Sequence, residues 1–559
     1  MDAKPTEKLF LFLLVLAGVT AYIAGLFPEV SIDAGKYAAV SRHIYESGDW
    51  LHLKIHGDPY MQKPHLLFWL SAASFHLFGM SMFAFKFPTL LFSVLGVYST
   101  YRLAKNYYSP KVAFLAMIIY ATSQMLFLYS NDLHTDALLT ANVMFSIWQF
   151  SAFLKSGKLL SFILAFTGAG LAMITKGPIG LAIPVFAVGS HLVATRNWRQ
   201  LFSPVWLAGL PILGVILFPV LKGNIDVFGR EGIEFFFWTN NAGRITGDYV
   251  GSNSDYFFYL HTMLYIFLPW SLFALGAIWW QTRYLKFRKY PFKERPEYFT
   301  YGALLIYSLI LSFARQKAPH YFFPMIPLLS IIVADFVITV STDPALDKWK
   351  RSFLSMRTLT VALMWMFLFL IVVFIFPSNN LLLWGIIALC FGLFIFSFRM
   401  FRGLPVMNLV IPMVVAAISL NMIINLHFFP EIYKYQGVIQ ASYRYNEMAK
   451  DNDRVYSFLT TQFENYYYPK TVAKKLRNQV EADSVFNQLG GWLITTREGR
   501  DFVKERYRKN LVYEELFSHK KISKMNWKFL NPNTRHMALK EIYLMKINSN
   551  SEISQRVAD

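Results

Sequence analysis

The sequence predicts a multi-pass α-helical membrane protein, with about thirteen transmembrane helices and a small soluble α/β domain at its C-terminal end. Three observations carry that reading. Of 559 residues, 55% are hydrophobic and 18% aromatic, well above the apolar share of a soluble domain. The apolar residues fall in long runs instead of a 3.6- or 2-residue period. The excess of 54 Lys and Arg over 34 Asp and Glu, a formal charge of +20, gathers in alternate connections between those runs.

A helix needs roughly 20 apolar residues to cross the bilayer core, because its backbone amides find no partner in lipid outside the segment. Runs at or near that length lie at 9–27, 83–103, 112–130, 136–154, 160–175, 178–194, 201–221, 256–280, 299–314, 319–340, 358–377, 380–400 and 405–427. The first follows Lys4 and Lys8 and looks like a secretory signal. No small-x-small cleavage site follows it and it is too long for a signal core, so it is expected to be an uncleaved helix. Cys390, the one cysteine, lies in an apolar run, which excludes an intramolecular disulfide.

Charge sets the topology. With the N-terminus inside, the inside loops carry Arg102, Lys105 and Lys111, then Lys155 and Lys158, then Arg196 and Arg199. Next come the cluster from Arg283 to Arg295, then Lys348, Lys350, Arg351 and Arg357, then Arg399 and Arg402. This is the positive-inside pattern throughout, and it accounts for most of the charge without nucleic acid. Residues 65–79 are apolar but short. Counting them as a span would move every later basic loop outside, so they are expected to form an interfacial or re-entrant helix. Three outside regions are then substantial: 28–82, 222–255 and everything after 428. The last is polar and basic, with a helix expected at 431–449, strands at 454–459, 491–496 and 541–547, and a charged helix at 498–509. The expected division is a transmembrane catalytic domain, 1–429, and an extracytoplasmic domain, 430–559.

Outside segments should be poor in Lys and Arg, yet they hold Lys36, Lys54, Lys63, Lys176, Arg244, Arg315 and Lys317. Cations gathered at that face would suit a phosphate or pyrophosphate headgroup; each alone could equally snorkel to ordinary lipid phosphates. Two acids stand at the same face. Asp33 lies shortly after the first helix, and Asp136 opens the fourth span behind Asp132 and His134. A carboxylate there is costly unless paired, and one beside an acceptor hydroxyl can act as general base. Either aspartate also reads as a helix N-cap. Asp132, His134 and Asp136 form a weak metal pattern, since spacings of two and four residues do not share one helical face. No Walker loop, dinucleotide fingerprint or nucleophile elbow is present.

Taken in order, several segments form a pattern. They are FPEVSIDAGKYAAVSRHIYESGDW, GDPYMQKPHLLFWLSAASFHLFG, MITKGPIGLAIP at 173–184, NNAGRITG before an aromatic span with LPW at 268–270, and SFARQKAPHYFFPMIPLL at 312–329. This order resembles the GT-C superfamily, in particular the group of bacterial lipid A aminoarabinose transferases and dolichyl-phosphate-mannose protein mannosyltransferase relatives, along most of residues 9–430. The resemblance implies a polyprenyl-phosphate (undecaprenyl-phosphate) sugar donor entering from the bilayer of the bacterial inner membrane. It implies transfer to an acceptor on the outer, periplasmic face.

On that resemblance Asp33 is the base or acceptor-orienting acid and Asp136 the second catalytic acid. Lys63, in the Lys-Pro motif, holds the donor phosphate with Arg244, Lys36 and Lys317. Tyr37, Tyr60 and His320 contact substrate. Two departures stand out: Ala34 and Gln62 occupy positions where the family usually has Glu. The second weakens any metal role, and no metal or other cofactor is assigned. The expected acceptor is lipid A, with a protein Ser/Thr or a growing glycan as alternatives. A lipid-linked sugar flippase fits less well, because it predicts inverted repeats and mid-membrane polar faces that the sequence lacks. A structural or sensor protein leaves the outer-face cations without a reason. The expected partners are the lipid-linked donor, its acceptor and membrane lipids, not nucleic acid.

Overall fold

The computed structural model of the chain describes residues 4–247, 253–286 and 297–550. Among them, nine helices are long and apolar enough to cross a membrane, or ten if a bent pair counts as one span. That pair, Pro110–Ala121 and Gln124–Asn131, meets at 47° where one straight span, 112–130, was expected. The bend leaves backbone groups to satisfy. The Gln124 amide donates to Leu268 O at 2.9 Å, and Trp270 Nε1 donates to Thr122 Oγ1 at 3.0 Å. Irregular backbone at membrane depth is tolerated where such neighbours re-satisfy it.

Three further expected spans are shorter apolar helices: Ile179–Ala194, the apolar part of Ser271–Lys286, and Phe299–Phe313. The run at 256–280 is divided, with Phe258–Ile266 preceding Ser271–Lys286. The segment at 65–79 forms a helix of 13 residues, Leu66–Phe78, too short to span upright. It packs between Ile32–Ser47 and Met82–Tyr107. The chain is thus a multi-pass helical membrane protein, with two helices of its first connection laid against the bundle.

The bundle is tied internally by polar pairs. Gln124 and Asn421 exchange amide hydrogen bonds at 2.9 and 3.1 Å. Asn131 donates to Asn425 Oδ1 at 2.7 Å, and Asn425 donates to Ala21 O at 2.8 Å. These join the first helix, the bent pair and Pro405–Ile423 with its continuation, each worth a modest net amount inside a membrane protein.

A short ribbon, β1 (Lys54–Ile55) and β2 (Asp58–Pro59), lies in the first connection. The C-terminal region holds β3 (Val455–Phe458), β4 (Lys474–Leu476), β5 (Gly491–Thr496), β6 (Leu511–His519) and β7 (Lys540–Ile547), in the order β4-β3-β5-β7-β6. The first three are parallel, and β7 runs antiparallel to both β5 and β6. Three strands and the Arg497–Arg506 helix match the sequence reading. The expected helix at 431–449 is resolved into Phe429–Tyr433 and Gly437–Met448. The sheet divides its side chains with the two-residue period of a strand. Trp492, Ile494, Ile542 and Leu544 join the main core, while Leu493, Tyr543 and Met545 pack a second one under the helices.

This domain docks on the first connection. Arg42, 2% exposed, donates to the carbonyls of Tyr467 (2.9 Å), Pro469 (2.6 Å) and Lys470 (2.9 Å). Removing a buried cation that serves three carbonyls orphans all of them, at about 1–3 kcal/mol each. Arg42→Ala is therefore expected to lower the thermal midpoint and expose 459–475 to limited proteolysis, measured in detergent-purified protein. An unchanged digestion pattern would show that the dock does not depend on this side chain.

Candidate active site

The site lies where the first connection, the Asp136 helix and the C-terminal domain meet. Asp33 stands in the first turn of Ile32–Ser47, whose N-cap is Ser31. Asp136 stands in the first turn of Thr135–Ser156, whose N-cap is His134. Neither aspartate is a cap, and both carboxylates pair with lysines.

Asp33 Oδ1 accepts from Lys36 Nζ at 3.0 Å, and the same ammonium donates to Gln62 Oε1 at 3.2 Å. The Asp33 side chain is half-exposed, so it can meet a ligand. Its partial burial works to raise the carboxyl pKa. The Lys36 ion pair and hydrogen bond, with the charges of His134 and Lys63, outweigh that and hold it below the ordinary value. Asp33 is a carboxylate throughout the physiological range.

Asp136 is the opposite case, its side chain 2% exposed and ion-paired with Lys176. Lys176 ends the helix Leu159–Lys176, and Gly177 turns the chain at φ +89°. Gly180 then lets Ile179–Ala194 press against the preceding helix, since a Cβ there would stand 2.3 Å from Ala172 C. The motif MITKGPIG thus delivers a lysine to a buried acid through a turn and a close helix contact that its glycines permit.

His134 and His320 face each other with ring centroids 5.1 Å apart, and Tyr129 stands edge-on to His134 at 4.8 Å. Tyr321 carries the Lys176 ammonium 4.5 Å over its ring. Lys63 acts electrostatically on Asp33, Asp136 and His320. It lines a cavity with Lys176, Asn240, Tyr307, Gln316 and Tyr321, a lining that among the described residues includes two lysines and no carboxylate. Such a pocket favours an anion.

The structure therefore brings together Asp33, Lys36, Lys63, Asp136 and His320. Tyr37 and Tyr60 are buried at 3% and 6% exposure, edge-on to Phe68 at 5.9 and 5.7 Å, and Tyr37 reaches His134 at 6.5 Å. They form the wall behind the charged groups. Lys317 adjoins the cavity without lining it, donating to Ala314 O of the lining at 2.7 Å and to Asn253 O at 2.9 Å and standing 5.8 Å over the Tyr256 ring. Arg244 sits on Ala242–Thr246, and its side chain lies outside the described residues. Asn240, Gln316 and Tyr321 were not singled out in the sequence. Asn240 and Gln316 fall in or beside the quoted motifs as neutral residues, which charge counting passes over.

Among the described residues, one trio gathers three metal-ligating side chains. Ligand atoms of His134, Asp136 and His320 lie within 4.8 Å of one another. It is not the sequence pattern with Asp132, whose carboxylate instead approaches His134 Nε2 at 3.6 Å. Asp136 already answers Lys176, and the Lys63 charge also falls on this point. The donor set therefore fits a cation-held carboxylate better than a divalent ion.

Comparison with known proteins gives matches over part of the sequence and over nearly the whole fold. A family model described as dolichyl-phosphate-mannose-protein mannosyltransferase matches residues 62–222. Two solved structures of ArnT from Cupriavidus metallidurans, one bound to undecaprenyl phosphate and one apo, superpose with TM-scores of 0.71 and 0.72 at 15% identity. They cover 96% and 97% of this chain and 97% and 98% of theirs. The chain has the GT-C fold. An undecaprenyl phosphate-alpha-4-amino-4-deoxy-L-arabinose arabinosyl transferase of Edwardsiella ictaluri (strain 93-146) is 30% identical over 314 residues, 55% of each chain. A second transferase of that description, from Proteus mirabilis (strain HI4320), is 26% identical over 347 residues, 59% of this chain and 60% of its own. The chain thus aligns with little more than half the length of these relatives. The resemblance to the GT-C superfamily and its aminoarabinose transferase group is borne out.

Because Lys36 is the main influence lowering the Asp33 pKa, its removal leaves burial to act. Lys36→Met is expected to raise that pKa. A depressed carboxylate loses its charge only as pH falls through the low folded value, so the variant's acid limb in kcat/KM should move to higher pH. An unmoved limb would show that Asp33 does not govern it.

Proposed function

We propose that the chain is a glycosyltransferase that moves a sugar from a polyprenyl-phosphate donor, undecaprenyl phosphate in the named relatives, to lipid A or a related acceptor. It would act at the periplasmic face of the inner membrane, the face we assign to the C-terminal domain. The observation that carries the reading is a half-exposed carboxylate, Asp33, in the electrostatic reach of a lysine-lined cavity. The names of the curated relatives support the donor class.

In this reading the donor phosphate is the leaving group. Lys63 and Lys176 line the place where its charge develops, and a cation fixed there in advance stabilises the transition state more than the ground state. Asp33 accepts the acceptor hydroxyl proton while that oxygen attacks the anomeric carbon. The C–O bond to phosphate breaks and its electrons stay on the phosphate. Asp136 does not meet substrate directly; buried against Lys176, it fixes that lysine and faces the two histidines. The glycosyl phosphate carries the needed energy, so no nucleotide site is required.

Membranes containing wild type or Asp33→Asn, supplied with radiolabelled undecaprenyl-phosphate sugar, test this directly. Label should reach lipid A with the wild type and fall by about 100-fold or more with the variant. Label in protein instead would identify the acceptor class that the matching family description names. Equal transfer by both membranes would remove Asp33 from the chemistry. The product of a single displacement should show an inverted anomeric centre, read by NMR of the purified product; retention would point to a covalent intermediate.

A further inference from the structure

The C-terminal domain reaches directly into the turn that presents Asp33. Glu464, 3% exposed, accepts the Ile32 amide on Oε1 at 2.8 Å. Ile32 is the residue before Asp33, and it sits at φ +57°, a left-handed conformation that strains a β-branched side chain. Ser31, the N-cap, makes no side-chain capping bond. The helix that carries Asp33 therefore takes its anionic cap from a residue 432 positions away, at the end where a negative charge suits the helix dipole.

Two further contacts fix the same turn. The Tyr468 hydroxyl accepts from the Val30 amide at 2.7 Å and donates to the Val30 carbonyl at 2.8 Å. Gly35, in the first turn of the helix, lets Glu464 approach; a Cβ there would meet Glu464 Cγ at 3.3 Å. Glycine is a poor helix former, and here it makes room for the cap. Lys36, the partner of Asp33, lies 5.0 Å over the Phe463 ring. Glu464 Oε2 makes no hydrogen bond among the described residues. A carboxylate kept buried with one oxygen unbonded destabilises the fold by itself. Strain beside a reactive group persists only where its surroundings over-determine it.

We propose that Glu464, with Tyr468, is a positioning residue: the soluble domain of the same chain caps the Asp33 helix and holds the strained Ile32, so that Asp33 meets the acceptor in one orientation. This rests on the reading of Asp33 as the base. Neither residue touches substrate. The role predicts a loss in turnover with substrate binding spared, since a reacting group misplaced by about 1 Å can lose about 100-fold in rate.

The test uses full-length protein in nanodiscs, with undecaprenyl phosphate-4-amino-4-deoxy-L-arabinose as donor and lipid A as acceptor. Steady-state kinetics are combined with amide exchange of the peptide covering residues 29–37. Glu464→Ala should lower kcat about tenfold or more with KM for both substrates unchanged, and should speed exchange in that peptide. Glu464→Gln keeps an acceptor oxygen and should restore most of kcat. Tyr468→Phe keeps the ring and removes only the hydroxyl, so it should repeat the exchange and kcat effects.

Wild-type exchange in the Glu464→Ala and Tyr468→Phe peptides would overturn the brace. Faster exchange with unchanged kcat, while Asp33→Asn is inactive, would overturn its catalytic role and leave the base assignment standing. Full activity of Asp33→Asn would overturn both the base and the positioning role. The exchange data would then still report whether the contact holds the turn.

Discussion

A carboxylate buried at the end of a membrane helix cannot stay ionised without a cation beside it, and the pairing of Asp136 with Lys176 sets how this end of the bundle is built. Taking one such charge out of water costs several kcal/mol unless a partner is well placed. The partner comes from the C-terminal turn of the neighbouring helix, and the acid from the N-terminal turn of its own. Each charge thus sits at the helix end whose dipole favours it. Because both residues are on packed helices and not on loops, the pair has little freedom. Tyr321, His320 and the cavity wall are arranged around it.

The two aspartates divide by environment. Asp136 is enclosed and already satisfied, while Asp33 is half-exposed and held by a lysine that also reaches Gln62. Two carboxylates in contrasting surroundings usually have contrasting tasks. The exposed one can exchange a proton with a ligand; the enclosed one holds its neighbours in place. Gln62, where the resemblance leads one to expect Glu, fits this division. A neutral acceptor takes a hydrogen bond from Lys36 without competing with Asp33 for its charge.

Most of the bundle was legible in the sequence because lipid imposes one rule, that backbone groups be satisfied within the segment. Hydropathy therefore found the helices, and loop charge kept 65–79 out of the spans. It missed the bend at 122–123, because the Gln124 amide there is satisfied by Leu268 O, far along the chain. In the soluble domain β3, β5 and β7 were legible as strand-like apolar runs, whereas the short strand β4 was not, and neither was the edge strand β6 with its half-exposed pattern. At the site, Asp33, Lys36, Lys63 and Asp136 stood out because charge at a membrane face needs a reason. Lys176 stood out for the same reason, but its pairing with Asp136 did not. Glu464 and Tyr468 gave no signal at all: in a polar domain one acid among many is ordinary, and only the fold brings it to Ile32.

That last contact bears on why a membrane-embedded site carries a soluble domain. The Ile32–Ser47 helix lies outside the bundle, with Leu66–Phe78 on one side. Packing there cannot fix its N-terminal turn, where the backbone is strained and the cap side chain is silent. An apolar cover would not serve, because the unsatisfied groups are amides that need an acceptor. A buried carboxylate and a phenol hydroxyl on a separate rigid element meet that need. Arg42, bonded to the carbonyls of Tyr467, Pro469 and Lys470 on either side of Tyr468, locks that element to the same helix nearly three turns on. The Ile32–Ser47 helix is thus held near both ends by one short stretch, residues 463–470. The orientation of Asp33 becomes a property of the domain interface as much as of the loop that carries it.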